Sequence, residues 1–246
     1  MASPHMAGIM ALLLQEHPTW SVAELKALAM NTATNNLYTG LNHTGLLYTP
    51  TRVGAGRASV ANAVQSEVVA YYANDPGQVS VAFGQVEVVG GIQNFTKSIT
   101  ISNKGVDSQS YNVAFDSRYQ ANPGLTFTLL DAGGAALANP VTVPGNSTLE
   151  VQVQVTIDPL LLSRARDATI ATTGSRQRFS EAGGYVTLTS TTTEPSMRVP
   201  VHIAARPAAN MSVTETNITL PAAASGTFDL TLSGTPVDTL DDTSLA

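Results

Sequence analysis

Ser3 and His5 stand two residues apart at the start of the chain. A serine hydroxyl beside an imidazole is the pair that acyl transfer uses, provided a carboxylate orients the ring and N–H donors hold the oxyanion. The spacing argues against that chemistry here, because both residues fall in the first turn of a helix, where side chains at i and i+2 do not face each other. Ser3 before Pro4 reads as a helix N-cap, and His5 as a core residue. His17 precedes Pro18, His43 sits in a polar stretch and His202 in a strand pattern, and no two histidines show metal-ligand spacing. Asp116, Asp131 and Asp158 fall at strand ends, where carboxylates cap turns; no Asp-rich loop supplies further calcium ligands. Arg164, Arg166, Arg176 and Arg178 cluster with Asp167 and Glu181 between two strands. They read as a solvated loop, with contact to another domain or to an anionic ligand as the sharper alternative. The sequence therefore predicts no catalytic, cofactor-binding or metal-binding residue in this chain.

Composition narrows the classes further. With no cysteine, a disulfide scaffold, a thiolate zinc site and a Cys nucleophile are all excluded. A net charge of −6 and a pI near 5.1 repel phosphate backbones and anionic membranes, so neither nucleic acid nor a polybasic membrane anchor is expected. The apolar run Met6 to Leu14 is too short to span a bilayer, and no Lys or Arg precedes it as a signal peptide would require. The five Asn-x-Ser/Thr sequons, at Asn42, Asn94, Asn146, Asn210 and Asn217, are unremarkable in a chain this rich in Ser and Thr.

The elements that must position these residues change character along the chain. Its 246 residues suggest two domains, or one with an appendage. A first helix, apolar on every face, runs from the Ser3 cap until Pro18 stops it, and such a helix belongs inside a larger protein. Ser21 and Glu24 form the capping box of a second helix, onto which Trp20 can staple at Leu25; Leu25, Leu28 and Ala29 give its apolar stripe, and Asn35-Asn36 ends it. Val53-Gly54-Ala55-Gly56-Arg57 implies tight backbone geometry before a short helical patch, Val60 to Val64.

From about residue 78 the hydrophobic period becomes 2. Seven strands are predicted around Val79 to Phe83, Ile99 and Ile101, Tyr111 to Phe115, Leu125 to Leu129, Val151 to Ile157, Tyr185 to Leu188, and Val199 to Ile203. Turns fall at Asn103-Lys104-Gly105, Asp131 to Gly134, and Pro144-Gly145-Asn146. The pattern is that of an immunoglobulin or fibronectin type III sandwich. Residues 159–183 fit no strand and form a long insertion. Arg206-Pro207-Ala208-Ala209 reads as a linker, followed by two more strands at Met211 to Leu220 and Thr227 to Leu232.

The opening Met1-Ala2-Ser3-Pro4-His5-Met6-Ala7-Gly8, with Ala11-Leu12-Leu13-Leu14, His17-Pro18, Trp20-Ser21 and Met30-Asn31-Thr32-Ala33, resembles the subtilisin-like serine proteases (subtilases). Val53-Gly54-Ala55-Gly56-Arg57 is similar to the family's end of the catalytic domain. Gly184-Tyr185-Val186 and Arg198-Val199-Pro200-Val201 resemble late strands of its fibronectin-like accessory domain. The resemblance implies that Met1 occupies the position just after the nucleophilic Ser. The family's catalytic Asp and His and its oxyanion-hole Asn come earlier still, so the chain holds none of the triad. Met1 is then expected to be an internal methionine of a longer protein.

The expected fold is mainly β with an N-terminal helical segment. Residues 1–65 would be the last helices of an α/β subtilase domain, 66–208 a fibronectin type III-like sandwich, and 209–246 an incomplete β segment or the start of a further module. The expected function is the C-terminal portion of a secreted subtilisin-like endopeptidase, inactive alone and without a cofactor. Its partners would be the upstream catalytic domain and, in the parent, protein or peptide substrates. The other reading is a non-catalytic extracellular or cell-surface binding or adhesion module. The two differ in where the sandwich is apolar: an adhesive module exposes a patch, and an accessory domain turns its contact surface to the helices and the insertion.

Overall fold

A computed structural model describes residues 2–34, 36–119, 121–163, 167–169, 180–214 and 230–235. The helical segment comprises α1 (Ala2–Glu16), α2 (Val22–Asn31), α3 (Pro50–Val53) and α4 (Val60–Gln65), with a 3₁₀ turn at Leu41–His43. α1 starts ahead of the predicted Ser3 cap, since Ser3 and Pro4 both lie in its first turn. The first-turn N–H groups have no intrahelical partner, so proline forfeits nothing there. α2 carries the full capping box: Glu24 N donates to Ser21 Oγ, and Ser21 N donates to Glu24 Oε2 at 2.7 Å. It stops at Asn31 rather than at Asn35-Asn36, because Asn31 and Thr32 are needed for tertiary and capping bonds.

The strands form two antiparallel-rich sheets. One has the order β1 (Val68–Tyr72), β3 (Gln93–Asn103), β7 (Ser147–Ile157), β5 (Leu125–Asp131). The other runs β2 (Val81–Val88), β9 (Met197–Pro207), β8 (Ser180–Ser190), β4 (Gln109–Ser117), β6 (Val141–Val143), with β2 parallel to β9. All seven predicted strands are present. Their inward faces make a core that includes Ile99, Ile101, Tyr111, Val151, Val153, Leu188, Val199 and Val201, each at most 1% exposed. The chain is mainly β, with its helices at the N-terminal end, in the form of a β-sandwich.

Two strands escaped the period-2 reading. β6 is only three residues long. β1 is buried on both faces: Val68 and Ala70 belong to the sandwich core, whereas Val69 packs with Leu13, Leu25, Leu28 and Ala63 of the helices. A strand covered on both sides reads as a continuous apolar run and shows no alternation. The sandwich therefore begins ahead of residue 78, and the helical segment is built onto it through β1.

Three further expectations need correction. β8 begins at Ser180, inside the predicted 159–183 insertion. Its start is disguised by Gly183 and Gly184, where a Cβ would collide with the backbones of β9 and β4. Arg206 and Pro207 are not linker, because β9 continues through them opposite Glu87 and Val88. In the tail, β10 (Asn210–Val213) pairs antiparallel with β11 (Leu232–Thr235), so the second strand lies beyond the predicted Thr227 to Leu232. Residues 227–229 of that predicted strand, and 215–220 of the one before it with Asn217, lie outside the described residues.

Tyr111 is fully buried with a hydroxyl that has no hydrogen-bond partner, and burial pushes its pKa up. An orphaned buried hydroxyl lowers stability relative to an apolar group of the same shape. Tyr111→Phe is thus expected to leave the urea midpoint unchanged or raise stability by up to about 1 kcal/mol. A clear loss would mean that the hydroxyl has a partner in solution.

Candidate functional site

α1 separates the two residues that open the sequence. Ser3 and His5 are both exposed on its first turns, so His5 is not the core residue that the sequence predicted. The reason is that α1 reaches the rest of the fold mainly through its second half, where Leu13 is buried and Ile9 and Met10 are partly covered. Among the described residues, no group of three His, Asp or Glu side chains is placed to hold a metal ion.

The other histidines serve packing. His17 stacks on Trp20 at 4.0 Å, and His202 lies 5.9 Å from the Tyr119 ring; both Nε2 atoms are buried without a partner. Burial lowers both pKa values below the ordinary 6.5, so the folded state holds both rings neutral. The unfolded chain takes up protons at a higher pH than the folded one, so the stabilisation is complete above about 6.5 and is lost as pH falls. The urea midpoint is expected to drop between about pH 7.5 and about pH 5.5, and His202→Gln should flatten that drop. An equal drop in the variant would assign the effect to other groups.

The three aspartates serve turns and an ion pair. Asp131 Oδ1 accepts from Gly133 N and Ala135 N, and Asp158 Oδ1 accepts from Leu160 N. Asp116 Oδ2 accepts from Arg118 Nε at 2.9 Å and Nη2 at 2.6 Å. Of the predicted basic insertion, Arg164, Arg166, Arg176 and Arg178 lie outside the described residues. Its Asp167, fully buried, accepts from Thr49 Oγ1 at 2.6 Å just ahead of α3.

Motifs far apart in the sequence meet where the helices join the sandwich. The Tyr185 hydroxyl of β8 donates to the Gly54 carbonyl at 2.9 Å, and Arg198 Nη2 of β9 donates to the Ala55 carbonyl. The Arg198 guanidinium lies 4.3 Å from the centre of the Tyr185 ring, and that of Arg118 lies 5.6 Å from it. Gly54 and Gly56 have φ of 56° and 115°, which lets the loop turn its carbonyls toward the two side chains. A bond pair between Thr34 and Arg57, 2.8 and 3.1 Å, holds the loop to the end of the helical segment. Arg118 Nη2 also reaches Asn36 Oδ1 at 3.3 Å.

Asn31, at the end of α2, closes the same junction from the other side. Its Nδ2 donates to the Arg198 carbonyl at 3.0 Å and its Oδ1 accepts from Ala70 N at 2.8 Å. β1 is an edge strand, and β2 pairs with β9 only from Val201 onward. Both backbone groups therefore face outward, and one buried amide satisfies an edge of each sheet. Sequence reasoning singled out the motifs that hold Asn31, Tyr185 and Arg198, as family resemblances without a role, but not Arg118. The available signal for Arg198 was a charge inside the apolar run Met197 to Val201, since a buried charge implies a specific partner. Burial brings its guanidinium down to about 10, which still leaves it protonated at neutral pH.

This junction is a structural latch between the helices and the sandwich. Residues 1–46 match the subtilase family model, and the chain is subtilase-related. Among curated relatives, the minor extracellular protease Vpr of Bacillus subtilis (strain 168) is 31% identical over 153 residues, covering 62% of this chain and 17% of that protein. The subtilisin-like protease SBT2.5 of Arabidopsis thaliana is 56% identical over 34 residues, 14% of this chain and 4% of the plant protein. The chain thus spans less than a fifth of the length of these relatives. Among solved structures, the CooA pilin subunit from enterotoxigenic Escherichia coli aligns with 58% of this chain and 99% of its own at a TM-score of 0.36 and 15% identity. No helix among the described residues is long and apolar enough to cross a membrane.

Proposed function

We propose that this chain is the C-terminal portion of a secreted subtilisin-like serine endopeptidase. Residues 1–65 complete the catalytic domain, 66–208 form a fibronectin type III-like accessory sandwich, and 209–246 are an incomplete β segment or the start of a further module. The observation that carries this reading is the latch: Tyr185, Arg198 and Asn31 commit the sandwich to the helices, and Asp167 of the insertion bonds Thr49 on the same side. An accessory domain is expected to do this. Among the described residues, the exposed large apolar side chains of the sandwich, Ile92, Val106, Leu160 and Leu161, lie in three connections and not on a sheet face. α1, in contrast, leaves Met6, Leu12 and Leu14 at 39 to 51% exposure on different sides of the helix, which suits a helix enclosed by the upstream catalytic domain. In that assembly the N-terminus of α1 carries the positive end of the helix dipole toward the nucleophile and the developing oxyanion. Peptide-bond hydrolysis by a serine nucleophile is then the work of the upstream part.

The test is to extend the chain upstream in frame. Gly-Thr-Ser is expected directly before Met1, with an Asp motif and a His motif further back. The extended protein should hydrolyse a chromogenic peptide with sensitivity to a serine-directed phosphonate, and the 246-residue chain should not. An in-frame stop codon close before Met1, or phosphonate-sensitive turnover by the chain itself, would overturn the reading.

A further inference from the structure

A cavity of about 820 Å³ opens beside the latch, between the 36–43 segment and the outer face of β8. The first wall belongs to a hydrogen-bonded hairpin, in which Thr39 N donates to the Leu46 carbonyl, Gly40 N to the Thr44 carbonyl and Tyr48 N to the Leu37 carbonyl, each at 2.9 Å. At its turn Asn42 and His43 take φ of 55° and 59°, and the His43 ring meets the Tyr38 ring edge-on at 5.6 Å. Tyr38 therefore stands in the wall as a half-buried aromatic surface whose position is set before any ligand arrives. The facing wall is β8, where Thr187 and Thr189 alternate with the buried Val186 and Leu188.

The chemistry of the wall selects the ligand. Tyr38, Asn42, Asn62 and Thr189 all line the cavity with groups that can both donate and accept, and none of these side chains has a hydrogen-bond partner among the described residues. Asn42, Asn62 and Thr189 are exposed, so their polar atoms are open to an incoming molecule. The described lining residues include no Asp, Glu or Lys, and Arg198 is 2% exposed, which leaves Arg57 as the accessible fixed charge. A cationic ligand would find no counter-charge there, and a polyanion would find one guanidinium. An extended peptide is also poorly served. β8 is paired on both sides, and the neighbouring edge of β9 is closed because Asn31 takes the Arg198 carbonyl and Pro200 has no N–H to offer. The ligand that fits is uncharged, carries groups that donate and accept in turn, and has an apolar face to lay on an aromatic ring. Sugars have these features, and the cavity falls within the size range of clefts for small ligands.

We propose that this cavity binds a short neutral oligosaccharide, with one sugar ring stacked on Tyr38 and its hydroxyls bonded to Asn42, Asn62, Thr189 and Arg57. The inference does not depend on the protease reading. It is tested by calorimetric titration of the full 246-residue chain with maltotriose, cellotriose, xylotriose, mannotriose and triacetylchitotriose, with inorganic phosphate and pentaalanine as the anionic and peptide comparisons. At least one trisaccharide should bind saturably with a Kd of about 1 mM or tighter, and neither comparison should. Tyr38→Ala should weaken that binding at least about tenfold and Tyr38→Phe much less, because the ring face is kept. Asn62→Ala, at an exposed position of α4, should weaken it by about threefold to tenfold with an unchanged urea midpoint. No saturable binding of any of the five sugars, saturation by phosphate or pentaalanine in their place, or sugar binding that both Tyr38→Ala and Asn62→Ala leave unchanged would overturn the proposal.

Discussion

Gly56→Ala is expected to destabilise the chain by about 3 to 4 kcal/mol, the sum of backbone strain at positive φ and a steric conflict that nothing nearby can relieve. Gly56 has φ of 115°, and an added Cβ would meet the Thr34 carbonyl oxygen and Arg198 Nη2. The first is backbone and bonded to Arg57 N; the second is held by the Ala55 carbonyl. Either the loop moves off Arg198 or the Thr34–Arg57 pair opens, and both leave buried polar groups unpaired. Gly134 supplies the comparison: its φ is 84°, but a Cβ there would meet nothing within 4 Å. Gly134→Ala should cost only about 1 kcal/mol, from the conformation alone. Urea unfolding of both variants measures the difference. Equal losses at the two sites would show that close packing against Arg198 adds nothing to strain.

Asn31→Ala should cost about 3 kcal/mol, because it leaves two buried backbone groups without partners, each worth about 1 to 3 kcal/mol. The Ala70 N–H on the edge of β1 and the Arg198 carbonyl on β9 have Asn31 as their bridge, and Asn31 itself is 1% exposed. Native-state hydrogen exchange adds a local readout, since the Ala70 amide should exchange faster in the variant even where global stability is restored by low temperature or osmolyte. A loss below about 1 kcal/mol with unchanged Ala70 exchange would mean that water replaces the amide without penalty.

The same bridge explains why the first 65 residues do not behave as a loose appendage. α2 delivers Leu25 and Leu28 onto one face of β1 and Asn31 onto its edge, while Glu24 in the first turn of α2 pairs with Lys104 from the β3–β4 connection. α2 and α3 pack on the sandwich, and α4 joins them through Ala63 in the cluster with Val69. α1 reaches β1 through Leu13, which is fully buried in the cluster with Val69, while Met6, Leu12 and Leu14 stay exposed.

Local chemistry is what the sequence determined by itself. Period-2 alternation located the seven long strands, because most of each has one face in a core and a less buried one opposite, although β8 and β9 are covered on both faces over part of their length. The Ser21–Glu24 box set the start of α2, since a cap involves only residues within one turn. The glycines at 54 and 56 marked the tight loop, and the opening motifs marked the relation to subtilases. Tertiary structure alone decided the features that depend on a partner distant in sequence. β1 was illegible because both its faces are covered, β8's first residues because their glycines answer to strands β4 and β9, and the end of α2 because Asn31 turns to bond two sheet edges. Arg198 entered the sequence reading only within a strand motif of family resemblance, and its role required knowing that Gly54-Ala55-Gly56, some 140 residues earlier, presents its carbonyls there. Contacts of that range are set by how the two sheets and the helices close on one another, and no local pattern of residue types encodes that closure.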